Sequence, residues 1–190
     1  MTGLDGAGRY IVERLLESQG MDLDKLETIR IPTAVAPKAL ADGSIDAAEL
    51  TEPTLSRAMR PGALWLSAQD AVPDFQWGVV TYGKRLLQTD PDAGTRFMVA
   101  FRRGIEQFGR GKVPGNMAPL QQATDEDTAV LEKSCWPAFP PDGRINTESV
   151  RNYQDWIVHK GRLDRPVPID SLWDPRFLFA SDTALLRKRP

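Results

Sequence analysis

The 190-residue sequence contains very little cysteine or histidine, and this scarcity excludes several kinds of site. Cys135 is the single cysteine, so internal disulfide bonds and metal sites with several cysteine ligands are excluded. His159 is the single histidine, which excludes an HExxH motif and most histidine-based zinc sites. We therefore expect neither a metal centre nor a cofactor.

An excess of charge of one sign is also missing, as are long hydrophobic runs. The 24 basic and 26 acidic side chains give a net charge of −2 without a dominant basic patch, which argues against nucleic-acid binding. No run approaches the roughly 20 apolar residues that a membrane-spanning helix needs. Residues Met1–Arg9 are rich in glycine and have no apolar core, unlike a signal peptide. With 41% hydrophobic and 26% charged residues, the composition is that of an ordinary globular protein.

Common catalytic motifs are absent as well. The sequence has no GxSxG nucleophile elbow. Residues 109–112 (GRGK) resemble a phosphate-binding loop, but Glu106 replaces the first glycine and Val113 replaces the serine or threonine. Cys135 has no basic neighbour closer in sequence than Lys133, which favours a buried, inert thiol over a nucleophile. We therefore predict no catalytic residue.

Helical and strand patterns alternate in the first part of the chain. Apolar residues at helical spacing, and β-branched residues bounded by glycine and proline, indicate the two kinds of element. They predict helices over residues 10–19 and 36–42 and one opening at Pro53, and strands over residues 28–31, 45–50 and 63–67. Such alternation is typical of right-handed crossovers. We therefore predict an α/β fold with a mostly parallel sheet and flanking helices.

Polar residues interrupt this pattern over residues 68–76, where we expect a hinge between residues 1–75 and 76–190. A fourth strand is predicted over residues 77–82, and the rest is mainly helical. Helices are predicted from Asp90 and Pro91 to Gly109, near Leu120, over residues 126–133, and from Asn146 to Gly161. In the longest helix an apolar face is expected to contain Phe97, Ala100, Phe101, Ile105 and Phe108.

Glycines before the first predicted helix indicate a candidate anion site. Gly3, Gly6 and Gly8 leave backbone N–H groups uncovered at a helix N-terminus, where the helix dipole favours an anion. Arg9 is a candidate partner for the same anion, although a surface arginine is the commoner case. The alternative for the glycines is a frayed N-terminus.

Three further side chains are candidate ligand contacts. Glu52 follows a predicted strand and precedes a helix, at the edge where ligands bind in open α/β sheets, although a helix-capping carboxylate is equally consistent. Trp77 and Tyr82 lie beyond the predicted hinge, where aromatic side chains could line a cleft. Core packing is the alternative for both.

The order of these segments resembles a known family. The run YIVERLLESQGMDLDKLETIRIPTAVAPKALADGSIDAAELTEPTLSRA is similar to the second-lobe segment of ABC-transporter substrate-binding proteins of the nitrate, sulfonate, taurine and thiamine-precursor group. The resemblance is carried by Gly20–Asp22, by Ala39 and Leu40 with Gly43–Ala47, and by Glu52 and Pro53. Two later runs extend it: LLQTDPDAGTRFMVAFRRGIEQF and DGRINTESVRNYQDWIVHKGRLDRPVPIDSLWDPRFL.

The resemblance implies a two-lobed, periplasmic-binding-protein type II-like α/β fold that closes over a small anionic or polar solute. Residues 1–75 would form the second, cleft lobe without its first strand, and residues 76–190 the returning, mainly helical part of the first lobe, in an N-terminally truncated relative. Nitrate, a sulfonate, taurine or a pyrimidine-like compound would be the solute, with an ABC permease as partner. The ligand contacts would be Gly6, Gly8, Arg9, Glu52 and Trp77.

The resemblance also carries an expected location and two alternatives. The family is periplasmic or extracytoplasmic, whereas a complete product without a signal peptide would be cytoplasmic. One alternative is an enzyme on the same fold, of decarboxylase or thiamine-precursor type, using Glu52 and His159. The other is an interaction module that forms a homodimer through an exposed sheet edge.

Overall fold

The computed structural model describes residues 6–59, 63 and 66–186, with the side chain of residue 186 excepted, and their secondary structure is helical. The α-helices are α1 (Ala7–Ser18), α2 (Ala36–Asp42), α3 (Thr54–Ala58), α4 (Ala68–Ala71), α5 (Pro91–Phe108), α6 (Pro114–Thr124), α7 (Thr128–Lys133), α8 (Thr147–His159), α9 (Ile169–Leu172) and α10 (Arg176–Leu186). Two 3₁₀ turns, Leu23–Lys25 and Thr33–Val35, and a π-helical turn, Arg85–Thr89, accompany them.

The predicted α/β fold with a parallel sheet is wrong for the residues that the structure describes, because none of them lies in a strand. Residues 28–31, 45–50 and 77–82 are irregular, and the predicted strand over residues 63–67 lies partly outside the described residues. β-Branched residues favour an extended strand that lies beside another strand. Their presence in a segment does not provide the second strand with which it would pair. These segments therefore keep a strand-like composition without a ladder of backbone hydrogen bonds.

The predicted helices are confirmed, and side-chain caps explain where the longest ones begin. Asp90 accepts a hydrogen bond from the N–H of Ala93 at 2.9 Å, and α5 begins directly after it. Asn146 accepts one from the N–H of Ser149 at 3.1 Å at the start of α8. Each bond satisfies one of the N–H groups that a helix leaves without an internal acceptor.

The chain divides into two compact units, each built from two stretches of sequence. The first comprises Met1–Phe75 and Met117–Trp136, and the second Gln76–Asn116 and Pro137–Pro190. One boundary falls between residues 75 and 76, and residues 117–136 then return to the first unit. The assignment of these parts to lobes of a binding protein stays a prediction.

Helix α1 supplies three of the buried apolar side chains of the first unit. Tyr10, Ile11 and Val12 are buried there, and Leu23 is buried in the following turn. Helix α1 packs against α4 and this turn, α2 against α3, and α3 against α7. No helix in the described ranges of either unit combines the length and hydropathy that a membrane span needs.

The core of the second unit lies between α5 and α10. Met98, Phe177 and Leu178 are buried there, with Tyr82 and Trp173 packed against them. The predicted apolar face of α5 is wrong in part, because Phe97 and Phe101 are 45% and 39% exposed. The buried face is instead formed by Gly94 and Met98.

Candidate functional site

The first turn of α1 has the backbone geometry of an anion-binding helix terminus. Gly6 is the N-cap residue, with φ 79° and ψ −140°, a conformation that favours glycine. Among the described residues no side chain caps this helix, and Gly8 lies in its first turn. The N–H groups of a first helical turn have no acceptor within the helix. The turn is therefore able to donate hydrogen bonds to an anion.

Arg9, beside this turn, already forms ion pairs with two carboxylates. Its Nε lies 3.0 Å from Oε1 of Glu13, and its Nη2 lies 2.9 Å from Oδ1 of Asp24. The Glu13 side chain is 6% exposed, whereas that of Asp24 is 71% exposed. The buried pair holds the guanidinium on α1, and the solvated pair joins α1 to the turn Leu23–Lys25.

Glu52 ties the start of α3 to the segment after α7. Its Oε2 accepts a hydrogen bond from the N–H of Ser56 at 3.0 Å, and its Oε1 accepts one from the N–H of Cys135 at 2.9 Å. Desolvation raises the pKa of Glu52, but the hydrogen bonds from Cys135 and Ser56 together outweigh it, and the net pKa is lowered. Both oxygens thus serve the fold, in agreement with the helix-capping interpretation.

Cys135 itself is exposed, so the prediction of a buried thiol is wrong. Its preceding residue, Ser134, has the extended backbone that ends α7. The backbone N–H of Cys135, rather than an apolar pocket around its sulfur, anchors the residue to Glu52.

The two aromatic candidates have different surroundings in the second unit. Tyr82 packs edge-on against Phe177, with ring centroids 4.9 Å apart, as core packing predicts. Burial raises the pKa of Tyr82, and the nearby Asp174 carboxylate raises it further. Trp77 is 53% exposed, and its role as a cleft residue stays a prediction.

The five predicted ligand residues therefore lie in three places. Gly6, Gly8 and Arg9 share the first turns of α1, Glu52 precedes α3, and Trp77 belongs to the second unit. The partners of Arg9 in its ion pairs and of Glu52 in its hydrogen bonds are not members of this predicted ligand set. His159, the second member of the predicted enzymatic pair, is exposed at the end of α8 in the second unit.

The first unit also contains an ion pair, between an exposed arginine and a buried glutamate, that the sequence does not indicate. The Nε of Arg57, in α3, lies 3.2 Å from Oε2 of Glu126, just before α7. The Glu126 side chain is only 7% exposed, although its position before a helix suggests a capping role. The two residues are 69 positions apart, so no local pattern indicates their contact.

Each unit also has a shallow surface groove. In the first unit a groove of about 240 Å³ lies beside α2, with Ile29, Ile31 and Ile45 in its walls. In the second, Gln154 lines a groove of about 260 Å³. Its amide accepts a hydrogen bond from the N–H of Val167 at 2.7 Å and donates one to the Val167 carbonyl at 3.2 Å.

Among the described side chains, no group of three histidine, cysteine or carboxylate residues is arranged to hold a metal ion.

Comparison with known proteins assigns the chain to a family. A family model described as NMT1/THI5-like matches residues 1–109, more than half of the 190 residues. The chain belongs to the NMT1/THI5-like family. A substrate-binding function fits this NMT1/THI5-like assignment. No curated protein and no solved structure matches the chain.

The NMT1/THI5-like match includes some of the candidate residues and excludes others. Gly6, Gly8, Arg9, Glu52 and Trp77 all lie within residues 1–109. His159 lies beyond the matched range. The family assignment therefore extends over every predicted ligand residue and leaves out one half of the predicted catalytic pair.

Proposed function

We propose that this NMT1/THI5-like protein is the solute-binding component, or part of one, of an ABC importer for a small anionic or polar solute. The observation that carries the proposal is the family match over residues 1–109. Nitrate, a sulfonate, taurine or a pyrimidine-like compound is the proposed solute, and an ABC permease the proposed partner. The proposed location is periplasmic or extracytoplasmic, and the proposed role is binding rather than catalysis.

The start of α1 supports this proposal because it combines two features suited to an anion. Gly6 and Gly8 carry no side chain beyond Cα, so a ligand can approach the N–H groups of the first turn closely. The neighbouring Arg9 is held in place by the buried Glu13, while its second partner, Asp24, is largely solvated. A solvated pair contributes only about 0–1 kcal/mol, so an anion is able to replace Asp24 at little cost.

Of the other two predicted contacts, Glu52 and Trp77, the first has a structural role that explains its position. Both oxygens of Glu52 accept backbone N–H groups, so we assign this residue to the fold rather than to the solute. Its lowered pKa keeps it a carboxylate at neutral pH, which argues against a general acid. Trp77, at 53% exposure, belongs to the second unit, and its role as an aromatic contact stays a prediction separate from the α1 site.

A thermal-shift and calorimetry series tests the proposal. We expect nitrate, taurine, an alkanesulfonate or a pyrimidine to raise the melting temperature of the full chain and to give a binding isotherm. Loss of one charge-assisted hydrogen bond costs about 1.5–3 kcal/mol, so Arg9→Gln should weaken binding by about tenfold or more.

Arg14→Gln is the matched control, because Arg14 lies on the same helix and pairs with Glu17 at 2.7 Å. It should leave the affinity unchanged. The proposal fails if no compound of the series binds. The α1 site fails if Arg14→Gln weakens binding as much as Arg9→Gln.

A further inference from the structure

The solvent side of α5 carries an arginine stripe, which consists of Arg96, Arg103 and Arg110. These residues follow one another at intervals of seven positions, so they lie on nearly the same side of the helix, the last of them just beyond its C-terminal end. All three side chains are exposed, and so is Lys112 in the loop that follows. The stripe therefore presents its guanidinium groups to the solvent.

An aromatic strip, formed by Phe97, Phe101 and Phe108, runs along the neighbouring side of the same helix. Phe97 and Phe101 stack with ring centroids 6.0 Å apart and are 45% and 39% exposed. Phe108 is half-buried and packs edge-on against Phe139, with centroids 5.3 Å apart, and Phe139 is itself 52% exposed. The strip therefore leaves aromatic surface in contact with water beside the arginines.

Small and uncharged residues join the two rows. Ala100, Gly104 and Gln107 lie between the arginine stripe and the aromatic strip on the helix surface, and all three are exposed. The acidic residues of α5, Asp92 and Glu106, border the stripe on its other side, away from the phenylalanines. The stripe, the small residues and the strip thus form one continuous exposed surface, which we call the α5 face.

We propose that the α5 face binds the surface of a membrane that contains anionic lipids. Arginine suits phosphate groups because its planar guanidinium donates two parallel hydrogen bonds to them. A helix with basic residues on one flank and phenylalanine on the other lies in the plane of a membrane interface, with the aromatic rings between headgroups and acyl chains. This surface belongs to the second unit and does not depend on the proposed solute-binding function.

The local charge of α5 is complementary to an anionic surface, although the whole chain has a net charge of −2. Residues 91–112 contain five basic and two acidic side chains. One of the five, Arg102, faces α10 and pairs with Asp182, which leaves the arginine stripe and Lys112 in excess over Asp92 and Glu106. Exposed charges are screened beyond about 8 Å at physiological ionic strength, so the charges nearest to the lipid determine the attraction.

The shape of the α5 face favours a lipid surface over a protein partner. The face is the convex side of a single helix, and neither of the two grooves described above contains a residue of it. Protein partners gain most of their affinity from side chains that fill well-packed pockets. A lipid surface is fluid and moulds itself around a convex helix, so it requires no matching pocket.

Vesicle sedimentation tests the proposal. We expect the full chain to sediment with vesicles of equal parts phosphatidylglycerol and phosphatidylcholine, more weakly as salt is added, and to stay in solution with phosphatidylcholine alone. Each basic residue near an anionic surface strengthens binding by about fivefold, so Arg96→Gln/Arg103→Gln should weaken it by about tenfold or more.

Arg151→Gln/Arg165→Gln is the matched control, because it removes two exposed arginines from the second unit outside α5. It should bind the vesicles like the unmodified chain. A wild-type chain that fails to bind anionic vesicles even at low ionic strength would overturn the proposal. So would an Arg96→Gln/Arg103→Gln protein that binds as well as the control. Circular dichroism checks that the helix content of both variants is unchanged.

A fluorescent label tests which side of α5 meets the lipid. In a Cys135→Ser background, an NBD group attached to Ala100→Cys should brighten and shift to shorter wavelength at saturating anionic vesicles, because it enters the headgroup region. The same group on Glu106→Cys, at the other side of the arginine stripe, should change little. Equal changes at the two positions would refute this orientation.

Poly-glutamate distinguishes a lipid surface from an acidic protein partner. Phe97→Ser should weaken binding to the anionic vesicles by about tenfold, because the ring no longer enters an apolar layer, whereas Leu172→Ser, at an exposed leucine of α9, should not. If poly-glutamate bound through Arg96 and Arg103 while the anionic vesicles did not bind, the α5 face would fit an acidic protein and the proposal would be wrong.

Discussion

Gly94, on the buried face of α5, lies against the ring of Phe177 from α10. A Cβ atom placed on Gly94 would lie 2.4 Å from Cζ of Phe177, well inside van der Waals contact. Gly94 is the fourth residue of α5, and a glycine within a helix weakens the isolated helix, so sequence alone suggests a poor choice at this position. The packing explains why glycine occurs at position 94, because only a residue without a side chain leaves room for the Phe177 ring of α10 against α5.

We therefore expect Gly94→Ala to lower the free energy of unfolding by about 1–3 kcal/mol, as overpacking of a core does. The measurement is a urea titration followed by circular dichroism. Gly104→Ala is the control on the same helix, because no atom lies within 4 Å of its added Cβ. The control should gain about 0.5–1 kcal/mol from helix propensity. An equal effect of the two substitutions would refute the packing argument.

Helices and strands differ in how far local sequence determines them. The starts of α5 and α8 depend on Asp90 and Asn146, whose partners lie three residues further on, so sequence predicts them correctly. A strand requires a neighbour from elsewhere in the chain, which explains why residues 28–31 and 77–82 were predicted wrongly. Helical spacing also identified a face of α5 containing Phe97, whereas packing against α10 buries Met98 instead.

Removing the cap of α5 should have a measurable cost. Asp90→Ala removes the acceptor for the Ala93 N–H and should destabilise the protein by about 0.5–2 kcal/mol in thermal or urea unfolding. Asp90→Ser keeps a side-chain oxygen at the N-cap and should retain most of the lost stability. If serine were no better than alanine, the cap would not be the source of the effect.

At the scale of the whole molecule, contacts between distant segments hold the first unit together. Glu52 binds the N–H of Cys135, 83 residues away, and Arg57 pairs with Glu126, 69 residues away. Glu52 is recognisable in the sequence as a candidate site residue, but nothing near it in the sequence identifies Cys135 as its partner. Hydrogen bonding between distant segments depends on the completed fold, and short-range patterns carry no information about it.

The lowered pKa of Glu52 predicts a pH dependence of stability. Since the folded pKa lies below the ordinary value of 4.5, the carboxylate stabilises the fold fully above that value. This contribution is lost as the pH falls through the folded pKa. In Glu52→Gln an amide NH₂ group would face a backbone N–H, so the urea midpoint should be lower than that of the wild type at neutral pH. The difference should shrink as the pH falls below about 4.5.

Glu17→Gln is the control, because Glu17 pairs with Arg14 on the exposed side of α1. Its urea midpoint should differ little from that of the wild type at any pH. A Glu52→Gln difference that stays constant between neutral and acidic pH would show that protonation of this carboxyl is not involved.

The return of residues 117–136 to the first unit has a consequence for the order of synthesis. A chain grows from its N-terminus, and domains generally fold as their sequence emerges from the ribosome. The first unit has all of its residues only after Trp136 has emerged, when Gln76–Asn116 of the second unit are already outside the ribosome. During that interval α7, against which α3 packs, has not been completely synthesised. The newly made α5 likewise lacks α10, its packing partner in the second unit. Neither unit is able to finish folding before synthesis of the other has begun.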